Sequence, residues 1–217
     1  MFKIILTVIG LLLSLQLTAQ TIKSWGFKGG ITVSKYSQWS PTDSTLKKFY
    51  TKEPASRVLV NIAIFAELLS SRYLSTVGEI AYNPKGGSFG YPALDGNGKV
   101  IGEEFIDNRT GYLSVMVCEK VRLGWNKMNF YVYAGPRVDL QINNNSDIDF
   151  AATYKKFNTM IFGLTTGFGT EFVDKHFKII AEFQYEPDLA YTLDDTYGRV
   201  KKNTWLARIG VGIIGKK

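Results

Sequence analysis

This chain of 217 residues is short of the side chains that carry covalent and metal chemistry. It has one histidine, His176, and one cysteine, Cys118. One of each leaves no metal-ligand spacing to read and no internal disulfide framework. His176 stands beside Asp174 and Lys175 in a short polar turn, where a solvated side chain is the simplest reading, so no catalytic residue is assigned. Long apolar runs are also missing. After residue 19 no stretch reaches 18 consecutive apolar residues, which excludes a membrane-spanning helix there. The glycines of Gly163-x-x-x-Gly167-x-Gly169 have no helix behind them. A phosphate-binding loop is therefore excluded, and no cofactor is expected.

The first residues do carry an apolar run. Lys3 precedes Ile4 to Leu15, and Leu17-Thr18-Ala19 supplies the small residues of a cleavage site. That pattern predicts a secretory signal peptide over 1–19, cut after Ala19, and one domain over 20–217. The formal charge of +7 falls to +6 without Lys3. An exported basic chain does not meet nucleic acid, and lipid headgroups are its more natural anionic neighbours.

What fills the rest is alternation. From Gly111 to Gln141, Leu113, Val115, Val117, Val121 and Leu123 share one face, broken only by Glu119. Tyr112, Ser114, Met116, Cys118, Lys120 and Arg122 share the other, which makes Cys118 a small buried filler. After the turn Gly124–Asn129 the pattern resumes with Phe130, Val132, Ala134, Pro136, Val138 and Leu140 outside Tyr131, Tyr133, Gly135, Arg137, Asp139 and Gln141. A two-residue period of about ten residues on each side of a turn predicts a long β-hairpin, and strands of that length span a bilayer when tilted.

The same period recurs at Trp25–Tyr36, Val58–Leu69, Tyr73–Asn83, Phe157–Phe172, Phe177–Tyr185 and Thr204–Ile213, giving eight strands. Long segments are expected at Ser37–Arg57, Pro84–Thr110, Asn143–Lys156 and Glu186–Lys202, and the glycine-rich Pro84–Thr110 is expected to hold no strand of its own. Short turns alternate with them, the asymmetry of outer-membrane barrels, and an even strand count puts both termini on the periplasmic side. The predicted fold is therefore all-β, an eight-stranded antiparallel up-and-down transmembrane β-barrel.

Which face points inward decides between membrane and water. A soluble lipocalin-like barrel would have an apolar lumen. Here the polar face collects glycines (Gly26, Gly30, Gly135, Gly163, Gly167, Gly169, Gly210, Gly212), as a crowded narrow lumen needs. The apolar face puts Trp25, Phe130, Phe172 and Phe177 beside the termini and short turns, where an aromatic girdle belongs. The polar face also holds Lys28, Glu67, Glu79, Lys120, Arg122, Arg137, Asp139, Glu171, Lys178, Glu182 and Arg208. Near-equal signs predict an interior charge network that plugs the barrel, chiefly Glu67, Glu79, Arg137, Asp139, Glu171, Glu182 and Arg208; a pore would show one sign in excess. Glu182 and Arg208, at similar heights on consecutive strands, are expected to pair, with Glu79 or Arg137 extending the pair. Asp194-Asp195 reads as a solvated loop doublet.

Tyr112-Leu113-x-Val115-x-Val117-x-x-Lys120, then Tyr131-x-Tyr133-Ala134-Gly135-Pro136, resembles the outer-membrane β-barrel family that includes the PorT protein. Gly163-x-x-x-Gly167-x-Gly169-x-Glu171 and Glu182-x-x-Tyr185 fit the same pattern, which covers nearly all of 20–217. The resemblance implies an eight-stranded, OmpA/OmpX-like barrel tied to a secretion apparatus that exports proteins for surface attachment. The expectation is a monomeric, non-enzymatic outer-membrane protein in contact with lipid and with other envelope or secretion proteins. The alternatives are a small solute pore and a soluble lipid-binding barrel.

Overall fold

Alternation becomes a sheet with no free edge. The computed structural model describes residues 22–41, 55–68, 71, 73–97, 99–125, 127–146, 158–195 and 198–215. The segment 1–19 expected to be a signal peptide lies outside them, as do 42–54 and 147–157 of the expected long loops. The strands are β1 (Ser24–Pro41), β2 (Ala55–Leu68), β3 (Leu74–Leu94), β4 (Val100–Trp125), β5 (Met128–Ser146), β6 (Met160–Val173), β7 (Phe177–Pro187), β8 (Leu193–Asp195) and β9 (Gly198–Ile214). From β1 to β7 each pairs antiparallel with the next, and β9 pairs with both β7 and β1, which closes the ring. Eight long strands make the barrel; β8 is a three-residue strand laid against β9. Closure matters because a backbone crossing lipid has no water to satisfy its amides.

The faces fall as the alternation predicts. Ile209 is 72 % exposed while its neighbour Arg208 is 3 % exposed, so the charged face is the inner one. That excludes the apolar lumen a lipocalin-like barrel requires. Trp25, Phe130, Phe172 and Phe177 are all exposed at the end that carries the termini and the tight turns. At the other end Tyr82, Tyr185 and Trp205 face outward, with the Tyr185 and Trp205 rings 4.1 Å apart between centroids. From Leu113 to Leu123 the apolar edge of β4 rises about 26 Å at a barrel tilt of ~40°, close to the band of a transmembrane barrel.

The Pro84–Thr110 segment corrects the sequence reading. It is not a loop: β3 and β4 run on as one ladder from Leu74↔Val121 to Ala93↔Gly102. A tight turn joins them, where Asp95 Oδ1 accepts from the amides of Asn97 (2.9 Å) and Lys99 (2.8 Å). Pro84, Gly86, Gly87, Gly90 and Pro92 erase the apolar alternation, yet each strand finds its ladder in the other. The Glu186–Lys202 segment is likewise largely strand, because β9 stays paired with β1 up to Gly198↔Pro41. Asp194 and Asp195 thus lie in β8, not in an open loop.

Candidate functional site in the barrel lumen

The lumen is narrow enough that β6 must give way to its neighbour. A Cβ on Gly167 would come within 2.6 Å of Tyr133 Cζ, and one on Gly169 within 2.6 Å of the Tyr131 hydroxyl. The two tyrosines sit directly across on β5, so their rings lie over the glycines and cross the lumen. Tyr131 and Tyr133 join Phe65, Met116, Cys118 and Ile180 in a buried apolar layer. This layer divides the charges above it from those below. A void of about 20 Å³ remains beside it, room for about one water.

On the turn side of the layer, Glu67 and Glu171 gather Lys120, Arg122 and Lys178. Lys120 Nζ lies 2.5 Å from Glu171 Oε2 and 3.8 Å from Glu67 Oε2. Arg122 and Lys178 both reach Glu67 as well, and Ser24 Oγ donates to it at 3.2 Å.

Beside the layer four side chains form a closed square. Lys28 Nζ lies 2.8 Å from Glu79 Oε2 and 3.1 Å from Glu182 Oε1. Arg208 contacts Glu79 and lies 2.5 Å from Glu182 Oε1. Glu182 and Arg208 are register partners on β7 and β9, and Tyr131 Oη donates to Glu182 at 2.9 Å. Two cations and two carboxylates alternate around the square, so each charge has two opposite neighbours.

The third group lies on the loop side. Arg137 reaches Asp139 (3.1 Å), Glu186 (3.0 Å) and Asp188 (2.6 Å). Lys85 reaches Asp139 (2.7 Å), Glu186 (3.2 Å) and Asp188 (3.7 Å). Arg137 is therefore in this group and outside the square around Arg208. Gln184 ties the two together, accepting from Tyr133 Oη at 2.9 Å and donating to Glu186 Oε1 at 2.5 Å. Lys202 Nζ donates to Tyr112 Oη at 3.1 Å.

Sequence reasoning missed Lys85, Glu186, Asp188 and Lys202, all fully or nearly fully buried here. They fell in segments taken as loops. The signal that could have found them is parity: Lys85 continues Ala81 and Asn83, and Glu186 and Asp188 continue Glu182 and Gln184. Lys202 likewise precedes Thr204 and Leu206. His176 is exposed in the β6–β7 turn, where the Lys127 ammonium, 3.2 Å from Asp174, holds that carboxyl below its usual range. Among the described residues, no group of three or more His, Cys, Asp or Glu side chains is arranged to hold a metal ion.

The comparisons agree with the geometry. A family model described as an outer membrane protein beta-barrel domain matches residues 18–194. The fold is similar to Neisserial surface protein A, with a TM-score of 0.53 at 10% sequence identity, over 91% of this chain and 99% of that one. It is also similar to OprG from Pseudomonas aeruginosa, with a TM-score of 0.53 at 11% identity, over 90% of this chain and 97% of that one. No curated protein matches the sequence.

Proposed function

Because the chain belongs to the family of outer membrane protein beta-barrel domains, we propose that it works there as a non-enzymatic accessory protein, and not as a channel. It is an outer-membrane β-barrel protein of the small eight-stranded type. The observation that carries the proposal is the lumen. Three groups of paired charges and an apolar layer fill it, and the void beside that layer is only about 20 Å³. A barrel of eight strands has room for its own side chains and little else.

In this reading residues 1–19 are removed on export, both termini face the periplasm, and the barrel is a monomer bathed in outer-membrane lipid. The resemblance to the PorT-containing family makes a secretion or surface-assembly apparatus the partner to test first. Loops and turns are the parts free to meet it.

The test has two arms. Purified protein in planar bilayers should carry no unitary current, and protein extracted in mild detergent should bring secretion components with it. A steady current from the wild-type barrel would replace this reading with the solute pore.

A further inference from the structure

Glu119 is the exception to the apolar outer face. Among the described residues it is the one charged side chain that faces outward between the two aromatic rings. It stands on β4 between the exposed Val117 and Val121, four residues inside Leu123. At the rise and tilt of a barrel strand that places it about 10 Å inside the turn-side edge of the band.

Its surroundings are also unlike the rest of that face. Thr76 lies directly across on β3, Ala134 directly across on β5, and Thr166 across from Ala134 on β6. Valine, isoleucine, leucine and phenylalanine dominate the outward positions elsewhere, but this cross-strand row is small and polar. Gly78 sits diagonal to Glu119, and a Cβ there would meet nothing within 4 Å. Thr76 is buried beside the carboxylate, and the open space over Gly78 leaves a shallow recess next to it. Thr76 Oγ1 donates to Glu119 Oε1 at 2.8 Å. One hydroxyl serves a group that can accept about four hydrogen bonds, and acyl chains offer no donors.

Charge decides the occupant. A second copy of this chain has no lysine or arginine on its outward band, among the described residues, to bring to Glu119. Headgroup amines of the near leaflet sit at the band edge, about 10 Å away along the strand. We propose that this recess docks a lipid-embedded segment of a different membrane protein, one that carries a lysine or arginine at the depth of Glu119. The inference rests on the accessory-protein reading and gives that partner a second surface, on the side of the barrel.

The experiment uses the mature protein in phosphatidylcholine vesicles. The probe is a synthetic membrane-spanning leucine helix with one lysine placed about 10 Å from an interface, and its control has leucine there. Energy transfer between labelled peptide and barrel reads association. The lysine peptide should associate at least tenfold more tightly than the control. Glu119→Gln should remove that preference, and Ala134→Trp should reduce it by filling the recess. Heat-modifiable migration on gels verifies that each variant is folded. Equal association of the two peptides, or a lysine preference that survives Glu119→Gln, overturns the proposal. So does self-association of the barrel alone that is lost in Glu119→Gln, which would make a second copy the occupant. Loss of the preference when phosphatidylethanolamine replaces phosphatidylcholine would give the site to a lipid amine and overturn it too. Current through the barrel would end the accessory reading as well, whereas a silent barrel indifferent to the lysine peptide would end this inference alone.

Discussion

Removing Arg208 should destabilise the barrel far more than its single charge suggests, and removing Glu182 with it should cost less than the two single losses summed. The square of Lys28, Glu79, Glu182 and Arg208 sets the arithmetic. In Arg208→Met two carboxylates keep one cation, and the side chains of Arg208, Glu79 and Glu182 are at most 2% exposed. Leaving one charge of a buried pair without its partner costs about 3–5 kcal/mol. Glu182→Gln alone leaves Lys28 and Arg208 competing for Glu79, a loss of the same order. In the double variant Lys28 and Glu79, 2.8 Å apart, remain as a neutral pair. Its loss should then fall short of the sum of the singles by more than about 0.5 and up to about 3 kcal/mol, the usual range for directly coupled groups. Urea unfolding in detergent micelles, followed by the fraction that migrates as folded without boiling, measures all four corners of the cycle. Losses that add to within about 0.5 kcal/mol would mean the square is not an energetic unit.

Other outcomes follow from the same structure. Ile62→Arg or Val115→Arg should cost roughly 2–4 kcal/mol, against little for Asn144→Ala; equal tolerance would mean that the faces are reversed. The unboiled wild-type protein should migrate apart from the boiled one, as a closed sheet resists detergent; solubility in the absence of detergent would contradict the membrane reading. Lys127→Met, in the β4–β5 turn, should raise the midpoint of Asp174 in the neighbouring β6–β7 turn in a titration followed by NMR. Because that midpoint is depressed in the folded state, the contact stabilises above the ordinary carboxylate range and fades as pH falls through the folded midpoint. An unmoved midpoint would remove the contact.

The β4–β5 hairpin was legible because every second residue from Leu113 to Leu123, Glu119 aside, and again from Phe130 to Leu140 is apolar. Lipid on one side and a packed lumen on the other impose that period directly. The extension of β3 and β4 beyond Asn83 was not legible, since it rises past the apolar band and no lipid enforces the pattern. Glycines and prolines fill it instead. The turn itself was written plainly as Asp95-Gly96-Asn97-Gly98, a strong hairpin signal. The charges on the lumen face could be listed from parity, and Glu182 could be set beside Arg208 because their strands are consecutive. That Lys28 meets Glu182, 154 residues away, could not be read. Such contacts reach across the lumen and depend on strand stagger, which no local pattern records.

The charged lumen also answers how an eight-stranded barrel keeps its register. Strand number fixes the bore, so the interior must be filled whatever the side chains are. Apolar filling would make both faces of each strand alike, and a one-residue slip would then cost little. With charges inside, a slip of β9 by one residue carries Arg208 into lipid and brings Ile209 inward. An arginine at mid-membrane costs about 2–4 kcal/mol even before its partners are lost, and Glu79 and Glu182 would lose theirs at the same moment. The pairs therefore penalise every wrong register while approaching neutrality in the right one. Glu119 stands outside this logic. It faces lipid in the correct register, away from the lumen cations, and the Thr76 hydroxyl donates to it across the ladder. A residue that the folding argument cannot use is the one to examine for contact with another molecule.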